Sequence, residues 1–89
     1  MSRSQKLTDQ AIDALAPKKK PYEVRDVDLI GFLVRVEPSG TKNFYCNYER
    51  GRRVRLCRFG EIPTAQAREA ARRVKQAGTL AKLEQKIAG

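Results

Sequence analysis

Arginine, asparagine and tyrosine alternate with apolar residues between positions 43 and 58, and their side chains are suited to binding a planar or anionic ligand. Tyr45 and Asn47 stand two residues apart, and so do Arg53 and Arg55. A guanidinium donates two parallel hydrogen bonds to a phosphate or a guanine edge, an amide pairs with an adenine edge, and a tyrosine hydroxyl donates to a phosphate. The pattern therefore predicts a binding surface, provided that one face of the fold presents these residues together.

The composition argues against catalysis. The 89 residues include no histidine and only two cysteines, which removes Ser-His-Asp and Cys-His catalysis, histidine-ligated zinc and a four-thiolate zinc site. A domain of this size also buries only one modest core. Tyr22, Tyr45 and Tyr48 have no histidine beside them that could activate a nucleophile. We expect a protein without enzymatic activity, bound metal or cofactor.

The charge is strongly positive and unevenly distributed. Lys and Arg number 19 against 10 Asp and Glu, for a formal net charge of +9. Ten of the basic residues lie between Lys42 and Lys75, where only Glu49, Glu61 and Glu69 oppose them. This clustering favours a polyanionic partner, with nucleic acid ahead of an anionic membrane surface. No apolar stretch approaches the roughly 18–20 residues of a membrane span, and no secretory signal is recognisable, so we expect a cytoplasmic protein without membrane contact.

Three strands are predicted to carry the binding surface. Apolar and polar residues alternate in three segments that are separated by turn residues. The segments are 29–36, 42–48 and 52–58, with Pro38-Ser39-Gly40 and Gly51 between them.

Two helices flank these strands. Thr8 is a favourable N-cap for a short helix over residues 7–16. Alanines three and four residues apart predict a second helix over 64–77, with Thr64 as N-cap and Gly78 as its end. The predicted fold class is α+β, with a three-stranded antiparallel sheet packed on one C-terminal helix and a short N-terminal helix.

The chain divides into three segments by composition. Residues 1–21 hold the short helix and the basic linker Lys18–Lys20, residues 22–78 form the compact domain, and residues 79–89 form a tail or the start of an interdomain linker.

The hairpin between the second and third strands has a predictable register. A three-residue loop over 49–51, with Gly51 in the left-handed conformation, pairs Cys46 with Val54 and Phe44 with Leu56. This register places the apolar side chains on one face of the hairpin and the polar ones on the other. A slip of one residue would exchange the two faces, so the alternation fixes the register. The inward residues are Phe44, Cys46, Tyr48, Val54 and Leu56, and the outward residues are Tyr45, Asn47, Arg53, Arg55 and Cys57. We therefore expect Cys46 in the core, Cys57 at the surface, and no disulfide between them.

The candidate ligand-binding residues follow from this register. The predicted binding face combines Arg35, Tyr45, Asn47, Arg53 and Arg55, with Lys42, Arg50 and Arg52 near the turns to hold phosphates. Two further groups are possible contacts to a phosphate backbone. Lys18, Lys19 and Lys20 are the first group, for which a solvated linker is favoured; Arg68 and Arg72, with Lys75, form a ridge on the second helix, where solvated and ligand-bound readings are left open.

Several short motifs recur in a recognisable order along the chain. They are Leu7-Thr8-Asp9; Tyr22 to Asp26; Gly31-Phe32-Leu33-Val34-Arg35-Val36; Pro38-Ser39-Gly40 with Lys42; Phe59-Gly60-Glu61-Ile62-Pro63; and Ala67-Arg68-Glu69-Ala70-Ala71-Arg72. In this order the chain resembles, from Leu7 to about Gly78, the N-terminal arm-type DNA-binding domain of phage-like tyrosine recombinases, the integrases of prophages and genomic islands. It departs from the family pattern at two places. Phe59 stands where the family usually has Leu, and Thr79 follows Gly78 where the family usually has an Asp-Pro step after the glycine.

The resemblance implies a function. In this family the three-stranded sheet enters the DNA major groove at arm sites that flank the recombination core, and a later domain carries the catalytic residues. It implies sequence-specific binding to double-stranded DNA in support of DNA integration, in the cytoplasm of a bacterial host. Other integrase domains or protomers are implied as further partners, and the isolated domain is expected to be a monomer.

Two other functions are compatible with the residues alone. A basic protein of this size could bind RNA or associate with the ribosome, although helical RNA hides its base edges in a narrow major groove. The alanine-rich helix could instead form a protein-interaction module.

Overall fold

A single mixed sheet forms the frame of the protein. The computed structural model describes residues 3–49 and 51–88, with side chains for 4–48 and 51–77. The strands are β1 (Arg3–Gln5), β2 (Tyr22–Asp26), β3 (Phe32–Val36), β4 (Lys42–Glu49) and β5 (Arg52–Arg58), and the helices are α1 (Asp9–Asp13) and α2 (Thr64–Ala88). The strands lie in sequence order, with β1 parallel to β2 and every other neighbouring pair antiparallel. The α+β class is confirmed, whereas the expected three strands are five.

The two additional strands differ in how visible they are in the sequence. In β2, Val24 is buried and pairs with Val34, while its neighbours Glu23 and Arg25 point to the other face. This alternation is short, and the two charged residues mask it. β1 has no apolar residue at all, so no periodicity predicts it. Its order comes from parallel pairing with the edge of β2.

The β4–β5 hairpin keeps the predicted register at its centre and departs from it on either side. Cys46 pairs with Val54, and Gly51 has the expected positive φ of 75°. Glu49, which the expected three-residue loop includes, is instead the last residue of β4 and pairs with Arg52 after a shift between Asn47 and Glu49, so the expected loop is wrong. The ladder shifts between Phe44 and Tyr45, so Phe44 pairs with Cys57 instead of Leu56. A bulge of this kind adds one residue to a strand and reverses the side-chain alternation beyond it. Cys57 is therefore in the core and only 8% exposed, so its expected surface position is wrong.

The hydrophobic core lies between the sheet and α2. The rings of Phe32 and Phe44 are stacked with their centroids 5.4 Å apart, and Phe44 meets Phe59 edge to face. Ala67 and Ala71 of α2 are fully buried against this layer. Because alanine side chains are small, the helix backbone approaches the sheet closely enough for the Cys46 thiol to donate to the Ala71 carbonyl at 3.6 Å.

Both cysteines are unpaired and buried. Burial raises the pKa of the Cys46 and Cys57 thiols, which favours their neutral form. The expected absence of a disulfide agrees with their free state, although both side chains lie on the helix side of the sheet rather than on opposite faces.

The helix ends show how distant residues replace local caps. Thr8 accepts a hydrogen bond from the Ala11 amide at 3.1 Å, as expected of an N-cap. At the start of α2, the Thr64 amide and hydroxyl both donate to Asp9 Oδ1, at 2.8 and 2.6 Å. The hydroxyl bond, followed by the amide bond, lowers the pKa of Asp9. A carboxylate from α1 thus caps α2, and Thr64 is the first helical residue instead of the N-cap.

Helix α2 does not end at Gly78. It continues to Ala88, so the predicted stop is wrong. An interior glycine costs a helix roughly 1 kcal/mol relative to alanine. The residues on either side, rich in Ala, Leu, Lys, Gln and Glu, are strong helix formers that offset this cost.

Gly31 begins the path into β3 at a point where no side chain fits. Its φ is +98°, and its carbonyl accepts a hydrogen bond from the Asn47 backbone amide at 2.8 Å. A Cβ placed on Gly31 would lie 2.5 Å from the Asn47 backbone carbonyl oxygen. Gly40 has a similar φ of +96°, but a Cβ there would meet no atom within 4 Å. A side chain at either glycine would strain the backbone, but only a side chain at Gly31 would also overlap a neighbouring strand.

We expect Gly31→Ala to lower the free energy of unfolding by more than Gly40→Ala. Both substitutions force alanine to a positive φ, at roughly 1–3 kcal/mol, and only Gly31→Ala also pushes β4 away from β3. Urea denaturation of the two variants measures the difference. Equal losses of stability would show that the close approach of Gly31 to Asn47 contributes nothing.

Candidate nucleic-acid interface

The face of the sheet that α2 does not cover is dominated by arginine and amide side chains. The strand register places on this outer face Glu23 and Arg25 of β2, Leu33 and Arg35 of β3, Asn43, Tyr45 and Asn47 of β4, and Arg53, Arg55 and Arg58 of β5. The five residues predicted for this face, Arg35, Tyr45, Asn47, Arg53 and Arg55, are all on it. Their role in ligand binding remains a prediction.

Arg53 is held in place by three neighbours on the outer face. Its Nε donates to Asn47 Oδ1 at 2.8 Å, and its guanidinium carbon lies 5.5 Å from the centre of the Tyr45 ring. Its two terminal nitrogens reach the Glu23 carboxylate at 2.6 and 3.2 Å. The planar cation is therefore oriented before any ligand arrives, which lowers the entropy lost on binding.

Arg55 has an uncharged partner. Its Nε and Nη2 share Asn43 Oδ1, at 3.3 and 3.1 Å. An amide oxygen orients a guanidinium without neutralising it, so Arg55 keeps its full charge on an exposed part of the sheet. Arg55 therefore differs from Arg35 and Arg53, whose guanidinium groups are oriented by carboxylates.

Arg35 pairs with two carboxylates. Its Nε lies 2.7 Å from Glu37 Oε1, and its Nη1 lies 3.4 Å from Glu23 Oε2. The hydrogen bond to Glu37 is the main cause of the raised pKa of Arg35. Glu23 in turn has a lowered pKa, mainly through its hydrogen bond to Arg53, and is therefore ionised at neutral pH.

Four outer-face residues escaped the sequence analysis. Arg25 and Glu23 were missed because β2 was not predicted, although the alternation in Tyr22–Asp26 was the available signal. Asn43 and Arg58 pair with each other at the ends of β4 and β5, where the bulge at Phe44 returns Arg58 to the outer face. Strict alternation from Arg55 places Cys57 on the outer face in place of Arg58.

Lys42 lies on the other side of the sheet from the predicted binding face. Its partner in β3 is the buried Val36. Its ammonium donates to the Ile12 and Asp13 carbonyls at 2.9 and 3.3 Å, which are unsatisfied groups at the end of α1. The geometry supports a structural role as a helix cap, and a role for Lys42 in ligand binding stays a prediction.

The remaining predicted phosphate contacts belong to turns or to the end of a strand. Arg52 is exposed at the start of β5, where its backbone lies opposite that of Glu49 in the sheet. Arg50 lies outside the described residues. Lys18, Lys19 and Lys20 are exposed between α1 and β2, and the Lys18 ammonium sits 4.8 Å from the centre of the Tyr22 ring.

Arg68 does not belong to a solvated ridge. Its Nε donates to Asp26 Oδ2 at 3.0 Å, and its Nη2 donates to the Leu7 carbonyl. Only 15% of the Arg68 side chain is exposed, and none of the Asp26 side chain. Asp26 also accepts the Leu7 and Leu29 amides, each at 3.1 Å. Arg68 therefore joins α2 to β2 and to the segment before α1.

Two other basic residues of α2 also have partners within the protein. Arg72 is exposed and pairs with Glu69 at 3.3 Å, while Lys75 donates to the Ile30 carbonyl. The Thr64 amide, which could have bound a phosphate at the helix start, is occupied by Asp9. The predicted ridge on α2 is thus reduced to Arg72 and Lys75.

Among residues 3–49 and 51–88, no group of described His, Cys, Asp and Glu side chains is arranged to hold a metal ion. No described helix is long and apolar enough to cross a membrane.

Comparison with known proteins gives a consistent match. The model of a family described as "Arm DNA-binding domain" matches residues 7–80. Prophage integrase IntZ of Escherichia coli (strain K12) is 35% identical over 74 residues, which is 83% of this chain and 18% of that protein. The chain thus spans less than a fifth of the length of this curated relative. No solved structure gives a significant match.

We expect Arg68→Leu to reduce the free energy of unfolding by on the order of 3–5 kcal/mol, because it leaves the buried Asp26 carboxylate without its cation. Arg72→Leu is the matched control, since the Arg72–Glu69 pair is exposed and such pairs contribute about 0–1 kcal/mol. Urea denaturation compares the two. A loss for Arg68→Leu no greater than that for Arg72→Leu would contradict the role of this ion pair.

The same pair predicts how stability depends on pH. Burial opposes ionisation of Asp26, but the hydrogen bonds from Arg68 and Leu7 together outweigh it, so the pKa lies below its ordinary 3.8. A lowered native pKa stabilises the fold above pH 3.8, and this contribution is lost as the pH falls through the native pKa. We expect the stability difference between wild type and Asp26→Asn to narrow on acidification below that pH.

Chemical denaturation at a series of pH values measures this difference. Glu61→Gln is the control, because it breaks an exposed pair with Arg58 at 3.9 Å and should leave a small difference throughout. A gap between wild type and Asp26→Asn that stays constant down to the acid transition would contradict the assignment.

Proposed function

Because this chain belongs to the Arm DNA-binding domain family, we propose that it binds double-stranded DNA sequence-specifically at integrase arm sites, with the outer face of its sheet in the major groove. Its part in recombination is to hold DNA, without catalysis. The observation that carries the proposal is the outer face itself. Arginines oriented by amide, ring and carboxylate neighbours occupy a sheet face that α2 leaves uncovered.

The chemistry of this face fits base edges in the major groove. That groove is about 12 Å wide and admits strands as well as helices. Arg55 keeps a pair of terminal N–H donors for the O6 and N7 atoms of guanine, Arg53 keeps single donors beside its bonds to Asn47 and Glu23, and Asn47 can pair with N6 and N7 of adenine. Arg58 at one end of β5 and Arg52 at the other are placed to hold flanking phosphates.

The DNA-facing set differs from the set expected from the sequence. Arg25 and Arg58 join it, because the register places them on the outer face. Lys42 and Arg68 leave it, because their cationic groups bind backbone carbonyls and a buried carboxylate inside the fold. Lys18, Lys19 and Lys20 remain available for a neighbouring stretch of backbone.

A wider role in an integrase follows as part of the same proposal. The relative IntZ is described as a prophage integrase, and this chain corresponds to 18% of it. A domain that binds arm sites while other domains or protomers bind the crossover site would raise the effective concentration of the recombinase there without any new contact.

Selection of duplexes from a random library tests the function. Recovery of a short consensus, bound more tightly than its scrambled counterpart at fixed salt, is the expected result. An RNA duplex of matched sequence serves as the competitor. Stronger binding to the RNA duplex than to any DNA duplex would support the RNA-binding alternative and overturn the proposal.

We expect Arg55→Ala to weaken binding to the selected duplex by about 1–3 kcal/mol and to relax selectivity at one base pair. Arg73→Ala, an exposed position of α2, removes the same charge from the opposite side and should weaken binding less, without altering the consensus. Fluorescence anisotropy titrations with the consensus and with single-base variants measure both effects. A larger loss for Arg73→Ala would assign the DNA to the helix side.

Arg52→Ala extends this comparison to the proposed phosphate contacts. It should weaken binding to all sequences alike and flatten the slope of log K against log salt by about 1. A change of consensus in this variant would show that Arg52 contacts a base.

A further inference from the structure

Glu23 is an acidic residue in the middle of the arginines of the outer face. Its Oε2 lies 2.6 Å from Arg53 Nη1 and 3.4 Å from Arg35 Nη1, and its Oε1 lies 3.2 Å from Arg53 Nη2. The Glu23 side chain is only 18% exposed. An acidic group is unexpected here, since a surface whose sole task was to attract DNA would gain affinity from its removal.

The pairing leaves Arg53 able to bind a second acceptor. A guanidinium carries five N–H donors, and Arg53 uses Nε for Asn47 and one bond from each terminal nitrogen for Glu23. The remaining donors can meet a nucleobase edge while the carboxylate stays in place. Arg53 and Glu23 then act together as an oriented donor with little net charge.

We propose that Glu23 is a specificity-determining residue, which lets Arg53 donate to an uncharged base edge and disfavours a phosphate in the same position. The inference rests on the proposed DNA-binding function.

The physical reason is the difference in charge between the two possible ligands. Guanine O6 and N7 are neutral acceptors, so they share Arg53 with Glu23 without repulsion. A phosphate bound to Arg53 would lie beside the Glu23 carboxylate, and like charges at such a distance repel well within the screening length of about 10 Å at 0.1 M salt. Glu23 thus lowers non-specific binding, which depends on phosphates, more than it lowers base-specific binding.

Arg55 provides an internal comparison. Its orienting partner is the neutral Asn43, so a phosphate and a base edge are equally free of repulsion there. The difference between Arg53 and Arg55 is therefore the charge of the partner. If Glu23 acts as proposed, the two arginines contribute differently to specific and to non-specific binding.

The test is Glu23→Gln, which keeps the shape of the side chain and an acceptor oxygen for Arg53 while it removes the charge. Binding of wild type and variant is measured to the selected consensus duplex and to its scrambled counterpart over a range of salt. We expect affinity for the scrambled duplex to rise about five- to tenfold at 0.1 M salt, with the salt slope steeper by about 0.9, as for one more neutralised phosphate. Affinity for the consensus should change less, so the discrimination ratio falls.

Glu69→Gln is the matched control. It removes the same charge from an arginine-paired, exposed glutamate on α2, and should leave the discrimination ratio unchanged. A ratio that falls equally in both variants would overturn the proposal, because net charge would then explain the effect. The double variant Glu23→Gln/Arg53→Ala should show no steeper salt slope than Arg53→Ala alone, since the effect is transmitted through Arg53.

The outcomes separate this inference from the proposed function. A selective wild type whose discrimination ratio is unchanged in Glu23→Gln overturns the role of Glu23 alone. A wild type that binds the consensus and scrambled duplexes equally overturns the proposed function and this inference with it. Chemical denaturation of each variant shows whether a change in binding accompanies a loss of folded protein, and a Glu23→Gln variant that is folded and less selective supports the proposal.

Discussion

The arrangement of the elements depends on one buried ion pair, that between Asp26 and Arg68. Asp26 lies at the end of β2, and its carboxylate accepts hydrogen bonds from Arg68 of α2, from the Leu7 amide before α1 and from the Leu29 amide in the β2–β3 connection. Three segments that are far apart in the chain therefore meet at one side chain. A buried carboxylate without such partners would be strongly destabilising, so the same charge that requires these contacts also determines where the helix lies on the sheet.

The consequence for function is a division of the basic residues between the two sides of the sheet. On the helix side, Arg68 and Lys42 satisfy carboxylate and carbonyl groups inside the fold. On the outer face, the arginines are oriented by neighbours in the same sheet and remain accessible. The high net charge is therefore not one uniform attraction for a polyanion. Part of it stabilises the tertiary structure, and part of it lies on the outer face, where Glu23 pairs with Arg53 and Arg35.

The predictable part of the fold is the part with clear periodicity. Alternation in β3, β4 and β5 identified the strands and most of the outer face, and the predicted Cys46–Val54 pairing is confirmed although the loop expected beside it is not the observed one. The missed parts have physical reasons. β1 contains no apolar residue and forms only by pairing with β2. The bulge beside Phe44 has no local signature, yet it exchanges the faces beyond it and brings Cys57 into the core. Glycine is typical of a helix end, but the helix-forming neighbours of Gly78 continue α2 past it.

By itself, the sequence determined which residues share a face, because side-chain direction in a strand depends on a period of two that can be counted along the chain. That was enough to place Tyr45, Asn47, Arg53 and Arg55 together. Only the tertiary structure decided which charges are neutralised and which remain available, because the partners are distant: Glu23 and Arg53 are 30 residues apart, and Asp26 and Arg68 are 42 apart. Ion pairing depends on distances of a few ångströms in space, and sequence spacing does not reveal those distances until the strands and the helix have come together.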